Sequence, residues 1–86
     1  DGFALVEFPG GLATDGVGID AAGRIVGRYV DAGSVFQGFL MHQAGFVTIA
    51  PPGSTFTEAI GINASGDIVG DYIDASGTLH GFLVTQ

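Results

Sequence analysis

The chain contains no cysteine and no lysine, and only two arginines, Arg24 and Arg28, stand against nine acidic residues. Without cysteine there is no disulfide framework, no thiolate nucleophile and no thiolate metal ligand, a composition open to secreted bacterial and cytosolic proteins alike. A net charge of −7 at pH 7 excludes nucleic acid, whose phosphates need clustered Lys and Arg, and argues against anionic membrane surfaces. No apolar run approaches the ~20 residues of a transmembrane helix. No window holds an apolar period near 3.6, so helices are not expected. The sequence opens at Asp1 without a methionine or a basic-then-apolar leader, and is expected to be a processed or excised piece.

What is present is glycine and apolar side chains: 16 glycines in 86 residues, with 47% hydrophobic and 13% charged. Residues 1–86 make one small domain, and a chain of this size buries a modest fraction of its surface. Glycine adds backbone entropy to be lost on folding and no side chain to pack. The apolar content nevertheless argues against disorder. Such a chain needs a partner surface.

Displacing the sequence by 43 positions aligns Gly2-Phe3 with Gly45-Phe46, Pro9-Gly10 with Pro52-Gly53, and Thr14 with Thr57. The same offset aligns Ile25-Val26-Gly27 with Ile68-Val69-Gly70, Asp31-Ala32 with Asp74-Ala75, and Gly38-Phe39-Leu40 with Gly81-Phe82-Leu83. No gap is needed, so the chain is two whole repeats, 1–43 and 44–86. Within each, Gly and Asx turns separate short runs rich in Val, Ile, Phe, Thr and Tyr, which predicts strands. Repeat one has them at Phe3–Phe8, Thr14–Asp20, Arg24–Asp31 and Val35–Gln43. Repeat two has them at Phe46–Ala50, Thr57–Asn63, Asp67–Asp74 and Leu79–Gln86. Ala64-Ser65-Gly66 and Ala75-Ser76-Gly77 read as tight hairpin turns with glycine supplying φ > 0.

Four antiparallel strands per 43 residues is the arithmetic of a β-propeller blade, giving an all-β fold with two blades per chain. The long connections Phe8-Pro9-Gly10-Gly11 and Pro51-Pro52-Gly53-Ser54 follow the Phe3 and Phe46 strands, which are therefore the outermost of their blades. Thr14–Asp20 and Thr57–Asn63 become the innermost strands, and their Gly16, Gly18, Ala59 and Gly61 suit a crowded axis. The chain is then cut out of phase with the blade. Phe3–Phe8 of one copy is expected to complete the second blade of another by pairing with Leu79–Gln86. Head-to-tail contacts of this kind close into rings, so the partner is the chain itself, as a trimer of six blades or a tetramer of eight. The expected assembly residues are Phe3, Leu5, Phe8, Leu79, Phe82 and Leu83. To these are added Arg24 and Arg28, which occupy the positions of Asp67 and Asp71 in the other repeat and could pair with them between neighbouring blades.

The stretch G-I-N-A-S-G-D-I-V-G-D-Y at Gly61–Tyr72, followed by Asp74-Ala75-Ser76-Gly77 and His80-Gly81-Phe82-Leu83, resembles the bacterial HAF-repeat family. Its near copy G-I-D-A-A-G-R-I-V-G-R-Y at Gly18–Tyr29 extends the resemblance over both repeats. The namesake His-Ala-Phe stands here as Gln37-Gly38-Phe39 and His80-Gly81-Phe82. The resemblance implies a propeller-like fold, secretion to an extracellular or cell-surface location, and no established activity.

Candidate chemistry is sparse. His42 aligns with Thr85 and His80 with Gln37, so neither histidine repeats, and a metal site would need them to meet carboxylates at defined geometry. Asp20, Asp31, Asp74 and Asn63 border hairpin turns, where a side-chain oxygen caps backbone N–H groups; calcium-loop spacings are absent. Ser34, Ser54, Ser65 and Ser76 lie in Gly-rich turns without a relay, and G-x-S-x-G does not occur. The glycines Gly23, Gly27, Gly66 and Gly70 read as turn and packing residues, not a phosphate loop. The expectation is therefore a non-enzymatic module with no cofactor that self-assembles. The alternative is a propeller that binds a sugar or peptide at repeated grooves between blades.

Overall fold

The computed structural model describes residues 2–43 and 45–85. Seven strands follow in chain order: β1 (Ala13–Ile19), β2 (Ile25–Val30), β3 (Phe36–His42), β4 (Gly45–Ile49), β5 (Phe56–Ile62), β6 (Ile68–Ile73) and β7 (Leu79–Val84). No helix occurs among the described residues. The strands form one open mixed sheet in the order β1-β2-β3-β5-β6-β7, with β4 also on β3. Strands β1 to β4 are an antiparallel meander, and β5 to β7 a second one of three strands. The one parallel step joins β3 to β5 through the pair Phe36 and Phe56.

Seven of the expected strands are found within a residue or two of their expected ends; Gln86 lies outside the described residues. The eighth, Phe3–Phe8, is the one expected to pair with a second copy; in the single chain residues 2–12 carry no strand. The reason is the supply of edges. The outer edge of the first meander is already occupied by β4, which pairs β3 from Gly38 with Ile49 to His42 with Gly45. The β3 edge that the equivalent segment Gly45–Ile49 uses is therefore closed to residues 2–8, and what anchors them is their end. Phe8 N–H donates to Thr14 Oγ1 at 2.9 Å, and the Phe8 ring stacks on Tyr29 with centroids 3.7 Å apart.

The turns after β1, β2, β5 and β6 share one construction. The fourth residue donates its N–H to the carbonyl of the first: Gly23 to Asp20, Ser34 to Asp31, Gly66 to Asn63 and Gly77 to Asp74. That fourth residue has positive φ in each, 83° for Gly23, 67° for Ser34, 85° for Gly66 and 89° for Gly77. This is a type I turn with a left-handed residue opening the next strand. The connections Phe8-Pro9-Gly10-Gly11 and Pro51-Pro52-Gly53-Ser54 are type II turns, with proline at the second position and glycine at φ 80° and 79° at the third.

The second meander lies across the face of the first, β5 touching β1, β2 and β3. The backbones come close there: a Cβ on Gly18 would stand 3.1 Å from the Ile60 carbonyl oxygen. Val26, Ala59 and Ile68 form the buried centre, with Leu40, Ile49, Ile62, Phe82 and Val84 packed around it. A second cluster holds Phe39 among Phe8, Tyr29 and Phe46. The molecule is 17 Å in its thinnest dimension, about two layers at the ~10 Å spacing of packed sheets. On its outer faces Val69 and Leu83 on one side and Ile19 on the other are exposed.

One buried polar atom is left over. Thr14 and Thr57 are equivalent by the 43-residue offset, but while Thr14 Oγ1 receives the Phe8 N–H, Thr57 Oγ1 is buried with no partner among the described residues. The residue 43 positions after Phe8 is Pro51, which has no N–H to give. Thr57→Val keeps the shape and removes the unpaired hydroxyl, so it should raise stability by about 1 kcal/mol, whereas Thr14→Val should lower it by about as much. Urea unfolding midpoints of the two variants should therefore move in opposite directions. A fall for Thr57→Val would show that its hydroxyl is bonded.

Candidate functional site

The repeat makes burial itself informative, because residues 43 apart have the same place in each meander. Val26 is fully buried, but its equivalent Val69 is 50% exposed; Leu40 is half-buried, but its equivalent Leu83 is 62% exposed. On the opposite face the asymmetry reverses. Ile68 is buried and Ile62 half-buried, whereas their equivalents Ile25 and Ile19 are half-buried and exposed. In the covered junction, the Val26 and Leu40 face of repeat one meets the Ala59, Ile62 and Ile68 face of repeat two. The free surfaces are thus the second half of each side of that junction: Val69 and Leu83 on one flank, Ile19 and Ile25 on the other.

A third open feature is the outer edge of β7. The equivalent edge of β3 carries β4, but among the described residues only β6 pairs with β7. Leu79 opens this strand and is exposed; Phe82, at its middle, is half-buried beside Tyr72, with centroids 6.3 Å apart. Of the expected assembly residues, Leu79, Phe82 and Leu83 lie on this strand together. Phe3, 97% exposed, and Leu5 lie on the strandless segment, and Phe8 is packed within its own chain.

The two arginines lie at the junction between the repeats. Arg24 pairs with Asp20 at 2.6 Å and donates to the Ala64 carbonyl of the other repeat at 3.0 Å. Arg28 lies 3.5 Å from Asp15 and 3.4 Å from Glu58, with its guanidinium 5.1 Å from the Phe36 ring and 5.9 Å from that of Phe56. Both arginines thus tie repeat one to repeat two inside the chain. Asp67 accepts from Asn63 Nδ2 at 3.3 Å, and Asp71 lies opposite Glu58 and Gly81 in the sheet.

The turn residues Asp20, Asp31, Asn63 and Asp74 cap backbone N–H groups as their positions suggest. Each Oδ1 accepts from the residues two and four further on, at 2.9 to 3.0 Å. The second side-chain atom is held too: Asp31 by Gln37 Nε2 at 3.0 Å and Asp74 by His80 Nε2 at 2.8 Å. His80 therefore does what Gln37 does in the other repeat. The His80 ring, the Ser76 hydroxyl and the Thr78 N–H hold the Asp74 carboxyl well below the usual carboxylate range. The Val35 N–H and the Gln37 amide lower Asp31. For Asp20, partial burial opposes the charge, but the Arg24 N–H and guanidinium outweigh it, and its pKa is also lowered.

Asp74 is hydrogen-bonded to both Ser76 and His80, Ser76 Oγ donating to Asp74 Oδ1 at 2.7 Å and His80 Nε2 lying 2.8 Å from Oδ2. The carboxylate, however, stands between hydroxyl and imidazole. A nucleophilic relay needs the imidazole in the middle, where it can take the serine proton. This trio fixes a turn. Among the described residues no three His, Asp or Glu side chains converge as a metal site. Beside Arg28 lies a cleft of about 220 Å³ lined by Thr14, Asp15, Tyr29 and Phe36, smaller than the ~300 to 1,000 Å³ of ordinary ligand pockets.

The flank residues Val69, Ile19 and Ile25 are absent from the sequence-based set of assembly residues. A signal for them existed in the alternation along each strand, because Val26 and Val69 share a face with Leu40 and Leu83, the side opposite Phe39 and Phe82. Against known proteins, no family model, no curated protein and no solved structure matches this chain.

Proposed function

We propose that the chain is a non-catalytic structural module that self-assembles into a β-propeller ring, two four-stranded blades per copy, as a trimer or tetramer. The observation that carries this reading is the reciprocal burial of equivalent residues. The face that Val26 and Leu40 use against repeat two is presented again, uncovered, by Val69 and Leu83. The face that Ile62 and Ile68 use is presented again by Ile19 and Ile25. A surface that complements a different surface of the same molecule makes heterologous contacts, which close into a ring when the rotation fits. A stacked repeat also needs about three units before its faces are covered. Membership of the HAF-repeat family, with the extracellular or cell-surface location it implies, belongs to the same proposal.

Charge sets how tightly such copies associate. Moving the inner junction on by one repeat puts Asp71 in the place of Arg28 and a second copy's Asp15 in the place of Glu58, so an ion pair becomes a like-charge contact. Salt screens such repulsion between exposed groups. Light scattering should therefore give three or four times 8.7 kDa, with dissociation pushed to lower protein concentration as salt rises. A monomer at all concentrations and salts would overturn the reading. The second reading is a sugar or peptide ligand, for which the small cleft beside Arg28 offers the rings of Tyr29 and Phe36 and the Asp15 carboxylate. Glycan or peptide arrays probed with the assembled protein decide between them.

A further inference from the structure

The internal repeat specifies more than that copies associate: it gives the register in which one copy's N-terminal segment adds to another's sheet. We propose that residues 2–6 of one copy form the fourth strand of the second meander of the next, antiparallel to β7. The pairs are Val6 with Gly81, Leu5 with Phe82, Ala4 with Leu83, Phe3 with Val84 and Gly2 with Thr85. This rests on the assembly reading and deepens it by naming the two segments that meet and how they are aligned.

The template is β4 on β3. There Ile49 pairs Gly38, Thr48 pairs Phe39, Val47 pairs Leu40, Phe46 pairs Met41 and Gly45 pairs His42. Shifting both strands back or forward by 43 residues turns Gly45–Ile49 into residues 2–6 and positions 38–42 into 81–85. Three observations fit the incoming segment to that place. The first is the ladder: the outer edge of β7 has no strand on it among the described residues, and residues 2–8 form none. An exposed edge is a template for an added strand.

The second is the seat for Phe3. Its equivalent, Phe46, packs 5.8 Å from Phe39 and 5.2 Å from Phe8, centroid to centroid. The equivalents of those two residues are Phe82 and Pro51, so the place corresponding to that of Phe46 lies beside Phe82 and its neighbour Tyr72, with Pro51 in the sequence position of Phe8. Phe3 is 97% exposed and Phe82 only half-buried; the proposed pairing covers both. The third is the outward face. Ala4 takes the position of Val47, which is exposed, so it falls beside Leu83 on the apolar flank. Leu5 takes that of Thr48, whose hydroxyl pairs with Tyr29 at 2.8 Å.

The absence of native cysteine makes the register directly readable. Residues directly opposite in an antiparallel pair have Cα atoms about 4.5 to 5.5 Å apart, inside the range a disulfide spans. A slip of one residue sends the partner side chain to the other face of the sheet. Ala4→Cys and Leu83→Cys are prepared as separate full-length proteins, mixed, and oxidised mildly. They should give a covalent dimer of one copy of each, while Leu5→Cys mixed with Leu83→Cys should not. Phe3→Ala, which touches nothing in its own fold, should weaken association by about thirtyfold, as loss of a central aromatic anchor does. If the wild type assembles but only the Leu5→Cys pair cross-links, or neither does, the register is wrong and the assembly reading survives. If the wild type is a monomer, both fall.

Discussion

Replacing Gly27 or Gly70 by alanine should each remove about 3 kcal/mol of stability, the upper part of the range for overpacking. That is a large share of the ~4 to 13 kcal/mol expected of a chain this size. The cause is a bulge. In β1 the register shifts between Gly16 and Gly18, and in β5 between Ala59 and Gly61. At each bulge a backbone carbonyl, that of Asp15 or Glu58, is pressed against the facing strand where Gly27 or Gly70 stands. A Cβ on Gly27 would collide with the Asp15 carbonyl oxygen and lie 3.1 Å from Gly16 Cα. On Gly70 it would collide with the Glu58 carbonyl oxygen and meet the Phe82 ring at 2.7 Å. Backbone cannot rotate aside as a side chain can, so the ladder itself must shift. Gly16→Ala is the control. Its Cβ would meet nothing closer than Ile25 Cγ2 at 3.7 Å, and repeat two already has Ala59 in that place. It should be neutral or stabilising by up to about 1 kcal/mol through the unfolded chain. Equal urea midpoints for Gly16→Ala and Gly27→Ala would refute this account of the motif's last glycine.

The same glycines explain how much of the fold was legible in the sequence. The period, the strands and the left-handed turn residues are local properties, written in spacing and in where Gly and Asx stand, and they needed no knowledge of what packs on what. The strand expected at Phe3–Phe8 is absent from the single chain because a strand is a pairing. Its residues have the same β character as Gly45–Ile49, yet only the latter follows directly from β3 and takes its edge. Nothing local distinguishes the two segments. The equivalence of Gly27 and Gly70 was visible, but the carbonyl that requires them belongs to a bulge on a neighbouring strand.

For the candidate site the limit was similar. A 43-residue offset aligns Arg24 with Asp67 and Arg28 with Asp71, and suggested that aligned residues meet. Within the chain the two repeats pack the face of one against the opposite face of the other, and there Arg28 meets Glu58, the equivalent of its own neighbour Asp15. The capping role of Asp20, Asp31, Asn63 and Asp74 followed from position alone. That His80 holds Asp74 as Gln37 holds Asp31 could have been read from the pairs, six residues apart in both repeats.

Phe39→Ala should cost about 3 to 5 kcal/mol, the usual range for removing a buried phenylalanine, and in a chain this small that leaves it close to unfolded at 25 °C. Phe39 is fully buried, with Phe8, Tyr29 and Phe46 around it. Two of those three neighbours come from outside the first three strands: Phe46 from β4 and Phe8 from the N-terminal segment. Phe82 is the same residue in the other repeat, half-buried against the Val26, Ala59 and Ile68 centre, with Tyr72 kept, Pro51 in the sequence position of Phe8, and no ring contact matching that of Phe46 among the described residues. In the isolated chain Phe82→Ala should therefore cost clearly less, about 1 to 2 kcal/mol, because less area is withdrawn from water and the site is free to collapse. If Phe3 of a second copy fills that position, the difference cannot stay constant. Binding adds stability in proportion to how far concentration exceeds the dissociation constant. Phe82→Ala should then grow more costly as protein concentration rises through the assembly range, while the penalty for Phe39→Ala, whose neighbours all lie in its own chain, stays fixed. Unfolding midpoints of both variants, measured against wild type at two concentrations on either side of that range, separate the cases. A Phe82 penalty independent of concentration would mean that no second copy covers this ring, whatever mass the protein shows.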